Sequence, residues 1–123
     1  MNPILLRGRQ QSIPACALII EAGGVHLARI ILSSERTRIE FNVYVSSTAR
    51  SIIHLVRFLR NVAAWGGSRI EVKEDLQGFI DYIDIIPPLK TVDAELLTRK
   101  IQNAIAAAIE EEQLARGWGV NKR

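Results

Sequence analysis

Between Arg36 and Trp65 the hydrophobic period of the chain changes once, and abruptly. From Arg36 to Val45 apolar and polar residues alternate strictly. Ile39, Phe41, Val43 and Val45 lie on one side; Arg38, Glu40, Asn42 and Tyr44 lie on the other. A period of two marks a strand with one buried face and one that is wet or covered by a partner. Ser46, Ser47 and Thr48 follow, each suited to the N-cap of a helix. From Ser47 to Trp65 apolar residues recur at helical spacing, and Gly66-Gly67 closes the segment. A strand running straight into a long amphipathic helix requires a sheet for that helix to cover.

The flanking segments extend this unit. Ile13 to Glu21 is almost wholly apolar and β-branched, as expected of a strand buried on both faces. Ala22-Gly23-Gly24 supplies turn chemistry, and Val25 to Leu32 returns as a second strand, so 13–32 reads as a hairpin. A short helix over 25–35 is the alternative, since His26 and Arg29 have helical spacing. Arg69–Lys73 is a fourth strand, 74–78 a loop of hairpin type, and Phe79–Ile86 a fifth strand stopped by Pro87-Pro88. Thr91 suits the cap of a last helix, with Asp93 and Glu95 where the helix dipole favours acids. That helix runs to about Arg116, where Gly117 suits the C-terminal cap.

The order predicts an α+β fold: an antiparallel sheet with two helices on one face, a ferredoxin-like βαββα core preceded by an N-terminal β-hairpin. The final edge strand of a ferredoxin-like sheet is missing, and the hairpin or another subunit is expected to fill it. Residues 1–12 read as a basic arm, 13–116 as a single domain, and 117–123 as a short tail. With 123 residues, 48% hydrophobic and 24% charged, the chain is long and apolar enough for a real core and is not disordered by composition. No apolar run approaches the ~20 residues of a membrane span. The N-terminus is faintly signal-like, but Ala15-Cys16-Ala17 precedes the apolar residues instead of following them, so a cytoplasmic protein is expected. Cys16, the one cysteine, is expected to act as a small buried hydrophobe.

Catalytic chemistry is poorly represented. His26 and His54 are far apart, and neither has a second ligand at metal spacing. Asp81 and Asp84 alternate across one strand, so they do not converge and read as solvated or edge acids. The glycines of 117–119 follow a helix and lack the ending of a phosphate loop. The expectation is a non-catalytic protein with neither cofactor nor metal.

Binding chemistry is better represented. At ~100° per residue, Arg50, His54, Arg57 and Asn61 fall within about 60° of one another on the first helix, flanked by Arg60. Such a stripe suits phosphates; it also suits the solvated face of any amphipathic helix. The net charge is +3, with twelve arginines to four lysines. Nucleic acid fits that balance, and so do genomic base composition or a hot habitat. The apolar arc of the same helix spans about 220°, wider than one sheet needs, which points to another subunit. The last helix carries a seam of small and branched residues, Leu97, Ile101, Ala104, Ile105 and Ala108, suited either to a partner helix or to the chain's own sheet.

From Arg36 onward, the strand, the Ser/Thr-capped helix, the strand opening Ser68-Arg69-Ile70-Glu71-Val72 and the long terminal helix resemble the small dimerising subunit of the KEOPS complex. The chain departs from that family in about thirty extra N-terminal residues and in Ile86-Pro87-Pro88-Leu89 before the last helix. The resemblance implies a subunit without chemistry of its own in a complex that attaches threonylcarbamoyl to an adenosine beside the tRNA anticodon. It further implies a dimer that docks on a catalytic subunit through Ile101, Ala104, Ile105 and Ala108; with Leu97 of the same seam, a homo- or hetero-dimer formed through helices is expected. By the resemblance Arg50, Arg57 and Arg69 would lie near RNA; the basic stripe adds His54 and Arg60 to the expected nucleic-acid-binding residues. The expected function is therefore a non-catalytic, oligomeric subunit of an RNA-processing assembly. The alternatives are a stand-alone nucleic-acid-binding protein and a small ferredoxin-like enzyme with its site between subunits.

Overall fold

A computed structural model describes residues 16–90 and 93–115. Among the described residues, five strands form one antiparallel sheet: β1 (Ala17–Ala22), β2 (Val25–Leu32), β3 (Thr37–Phe41), β4 (Arg69–Glu74) and β5 (Ile80–Ile86). Their spatial order is β1-β2-β3-β5-β4. Helix α1 (Arg50–Trp65) links β3 to β4, and α2 (Ala94–Ala115) follows β5. β5 lies between β3 and β4 and runs antiparallel to both, which is the split βαβ arrangement. The expected α+β fold is present, and the N-terminal hairpin fills the vacant edge, β2 pairing with β3.

Register separates the two faces of the sheet. Leu18, Ile30, Ile39, Ile83 and Val72 form one continuous cross-strand row beneath the helices. Ile30, Ile39 and Ile83 are fully buried there, against Ile52, Leu55 and Leu59 of α1 and Leu97, Ile101 and Ile105 of α2. The next rows face the other way. One is Ala17, Ile31, Arg38, Asp84 and Glu71; the other is Ile19, Arg29, Glu40, Tyr82 and Lys73.

Several expectations are corrected. β3 ends at Phe41, although Val43 and Val45 continue into the core and the chain stays paired to β5 through the Ile80 N–H to Val45 carbonyl bond. The expected hairpin is present in β1 and β2: residues 25–32 are strand and not the alternative helix, because they are held between two partners. β1 is an edge strand in which only Ile20 is buried, so its apolar sequence does not mark burial on both faces. Cys16, at the start of that edge, is exposed, not buried. Asp93 caps α2: its carboxylate accepts from the N–H groups of Glu95 and Leu96 at 3.0 and 3.1 Å. Thr91, Gly117, the arm at 1–12 and the tail at 117–123 lie outside the described residues. No helix among the described residues is long and apolar enough to cross a membrane.

Among the described residues no helix covers the other face of the sheet, which carries ion pairs. Arg29 Nε donates to Glu40 at 2.9 Å, and both side chains are nearly buried. Asp84 is 2% exposed, on a central strand, which corrects its reading as a solvated or edge acid. Arg38 grips it twice, at 2.7 and 2.9 Å, and Arg36 once, at 3.1 Å. Arg38 also stacks 3.9 Å from the Tyr82 ring. Burial alone pushes the Asp84 carboxyl upward; the hydrogen bonds and charges of Arg38 and Arg36 outweigh it and hold the carboxyl below its ordinary range. The hydrogen bond to Asp84 raises Arg38 in turn, against the opposing effect of its burial. Glu71 stands directly across from Asp84 on β4, a like-charge pairing that the two arginines offset.

Candidate nucleic-acid interface

The outward face of α1 is the most distinctive surface of the molecule. Ile52, Leu55, Leu59 and Ala63 anchor the helix to the core, and this phase turns Arg50, His54, Arg57, Arg60 and Asn61 into solvent. The helix contains no acidic residue. Among the described residues, none of Arg50, Arg57 and Arg60 has an ion pair. The stripe read from the sequence is thus brought together as one basic face. Trp65 ends it, 86% exposed beside Gly66-Gly67. Arg69 does not join it. That residue lies on the helix-free side of the sheet with Glu71, whose carboxylate it meets at 3.2 Å.

The N-terminus of α1 is capped in an unexpected way. Its N-cap position is Ala49, which has no side chain able to cap. Ser46 and Thr48 bond each other at 2.9 Å, and Ser46 Oγ accepts from the Thr48 N–H, so neither hydroxyl reaches the helix. Glu111 of α2 takes the role, its carboxylate accepting from the N–H groups of Arg50 and Ser51 at 2.9 and 3.2 Å. Sequence reading missed Glu111 because this cap comes from 60 residues away.

The seam on α2 has a different role from the one expected. Leu97, Ile101, Ala104, Ile105 and Ala108 are all buried in the chain's own core. The wide arc of α1 needed that second helix beside it, so the seam is used internally and offers a partner no surface in this fold. The exposed large apolar side chains of α2 are Leu96, at its start, and Leu114, near its end.

The apolar arc of α1 is still not fully covered. Ile53 is 45% exposed and, with Val56, Val72 and Ile80, walls a groove between α1 and β4. Ser47, Arg57, Arg60 and Glu74 complete its rim. His54 is not part of that lining, so the groove does not pair a histidine with Glu74. Among the described residues, no cluster of three His, Cys, Asp or Glu side chains is placed to hold a metal.

Comparisons with protein-family models, with curated proteins and with solved structures return no match for this chain.

Proposed function

We propose that the chain is a non-catalytic, oligomeric subunit of an RNA-processing assembly, and that the outer face of α1 is where it meets RNA. One observation carries the reading: three arginines and a histidine stand exposed on a single acid-free helix face. Such a face neutralises phosphates without reading sequence. Trp65 adds an exposed aromatic ring at the end of the stripe, suited to stacking on an unpaired base. The subunit part of the proposal rests on Ile53 and the groove beside it, apolar surface the single chain leaves uncovered. A narrower form assigns the assembly to tRNA modification of the KEOPS type. Its support is the layout from β3 to α2 together with the Ser68–Val72 stretch.

Sedimentation velocity of the protein alone and with tRNA tests the proposal. Alone, it is expected to sediment above the mass of one chain; with tRNA, the protein boundary is expected to move with the RNA. A chain that stays at the mass of one protomer and ignores tRNA would overturn it.

A further inference from the structure

We infer that two copies of this chain join through the outer edges of their β4 strands, antiparallel about a two-fold axis at Val72, to form one ten-stranded sheet. Among the described residues β4 pairs only with β5, so its other edge presents unpaired backbone donors and acceptors. Glu71, Lys73 and Glu74 are exposed along it, and the α1–β4 groove beside Val72 is open.

The charge pattern selects both the occupant and the register. In a two-fold antiparallel pairing, one residue must face its own copy, and its neighbours face each other in reverse order. Centring on Glu71 sets Glu71 against itself and Arg69 against Lys73. Centring on Lys73 sets Lys73 against itself. Centring on Ile70 joins only three residues of β4 from each chain. Centring on Val72 sets Glu71 opposite Lys73 twice on the helix-free face and Val72 opposite Val72 beneath the helices. That register avoids these like-charge contacts and uses nearly the whole strand. It also covers Val72 and brings the half-exposed Ile53 of each α1 over the join. The two arginine-bearing helices then lie side by side as one basic surface. This inference rests on the reading of the chain as an oligomeric subunit, but not on its contact with RNA.

Charge reversal tests it in the full-length protein. Glu71→Lys sets a lysine opposite Lys73 of the second copy, and Lys73→Glu sets a glutamate opposite Glu71. Each is expected to weaken dimerisation about tenfold, because every exchange acts at two symmetric places. The double variant Glu71→Lys/Lys73→Glu restores complementarity and is expected to dimerise like the parent. In a Cys16→Ser background, Val72→Cys is expected to cross-link on oxidation and Ile70→Cys is not. The inference is overturned by a parent protein that is monomeric at ~100 μM, well above the micromolar range of specific association. It is equally overturned by single reversals without effect, by a double variant as weak as the singles, or by cross-linking through Ile19→Cys on β1 in place of Val72→Cys. RNA affinity measured on the same samples separates the two claims. A dimer that ignores RNA supports the pairing and sinks the RNA reading, whereas a monomer that binds RNA does the opposite.

Discussion

The carboxylate of Glu111, near the end of α2, accepts a hydrogen bond at 2.9 Å from the backbone N–H of Arg50, the first residue of α1. A second bond from Ser51, at 3.2 Å, makes Glu111 the cap of a helix that has no cap of its own. The negative charge also complements the positive end of the helix dipole. Glu111→Ala is therefore expected to destabilise the fold by about 1–2 kcal/mol, and Glu111→Gln, which keeps an acceptor, by less. Urea unfolding followed by circular dichroism measures both. Equal losses for the two variants would mean that the acceptor Gln retains contributes nothing and that the charge carries the cap.

Asp84 predicts how the fold responds to acid. Its folded-state pKa is depressed below the ordinary value of 3.8, so its pairing stabilises the fold fully above that value. The contribution fades as pH falls below about 3.8 and through the lower folded value. Asp84→Asn should flatten this acid limb. At neutral pH, Asp84→Ala should cost about 3–5 kcal/mol, because it leaves two arginines without their shared acceptor. Unfolding free energies measured between pH 2 and pH 7, the range that brackets a carboxylate titration, check both statements.

Ile101 lies in the α2 seam and is fully buried. Ile101→Ala should lower stability by about 2–5 kcal/mol through transfer and cavity terms. Variant that remains folded should keep the oligomeric state of the parent. A change in association with stability intact would return the seam to the surface.

Trp65 is 86% exposed and its ring holds no part of the core. Trp65→Ala is expected to leave stability within about 0.5 kcal/mol of the parent. If the ring stacks on a base, the same variant loses about 1–3 kcal/mol of affinity for single-stranded RNA. Affinity unchanged by the substitution would remove the ring from the interface.

Much of the fold was legible in local periodicity. The alternation of Ile39 with Phe41 and the helical spacing of Ile52, Leu55 and Leu59 placed β3 and α1 and their buried faces. The exposed stripe at Arg50, His54 and Arg57 followed from the same phase. What local pattern did not carry was set by distant residues. β1 reads as a buried strand because apolar composition does not reveal that it ends a sheet. Asp84 reads as a solvated acid because its arginines come from β3 and from the residue just before it, far away in sequence. Ser46 and Thr48 read as caps because each hydroxyl suits the role, but they bond each other while Glu111 arrives from α2. The seam containing Ile101 and Ala104 has the spacing of an interface whether the surface opposite belongs to a partner or to the same chain. Arg69 joined the α1 arginines only through the family resemblance; strand parity turns it to the other side of the sheet.

The most direct test of the central claim is the salt dependence of tRNA affinity for the parent and for Arg50→Glu/Arg57→Glu. Both side chains are exposed and unpaired among the described residues, so the folded state should persist. If α1 tracks phosphates, affinity falls and the slope of log K against log salt becomes shallower by about 1.5–2, one phosphate contact for each arginine. An affinity and a slope that match the parent's would contradict the account.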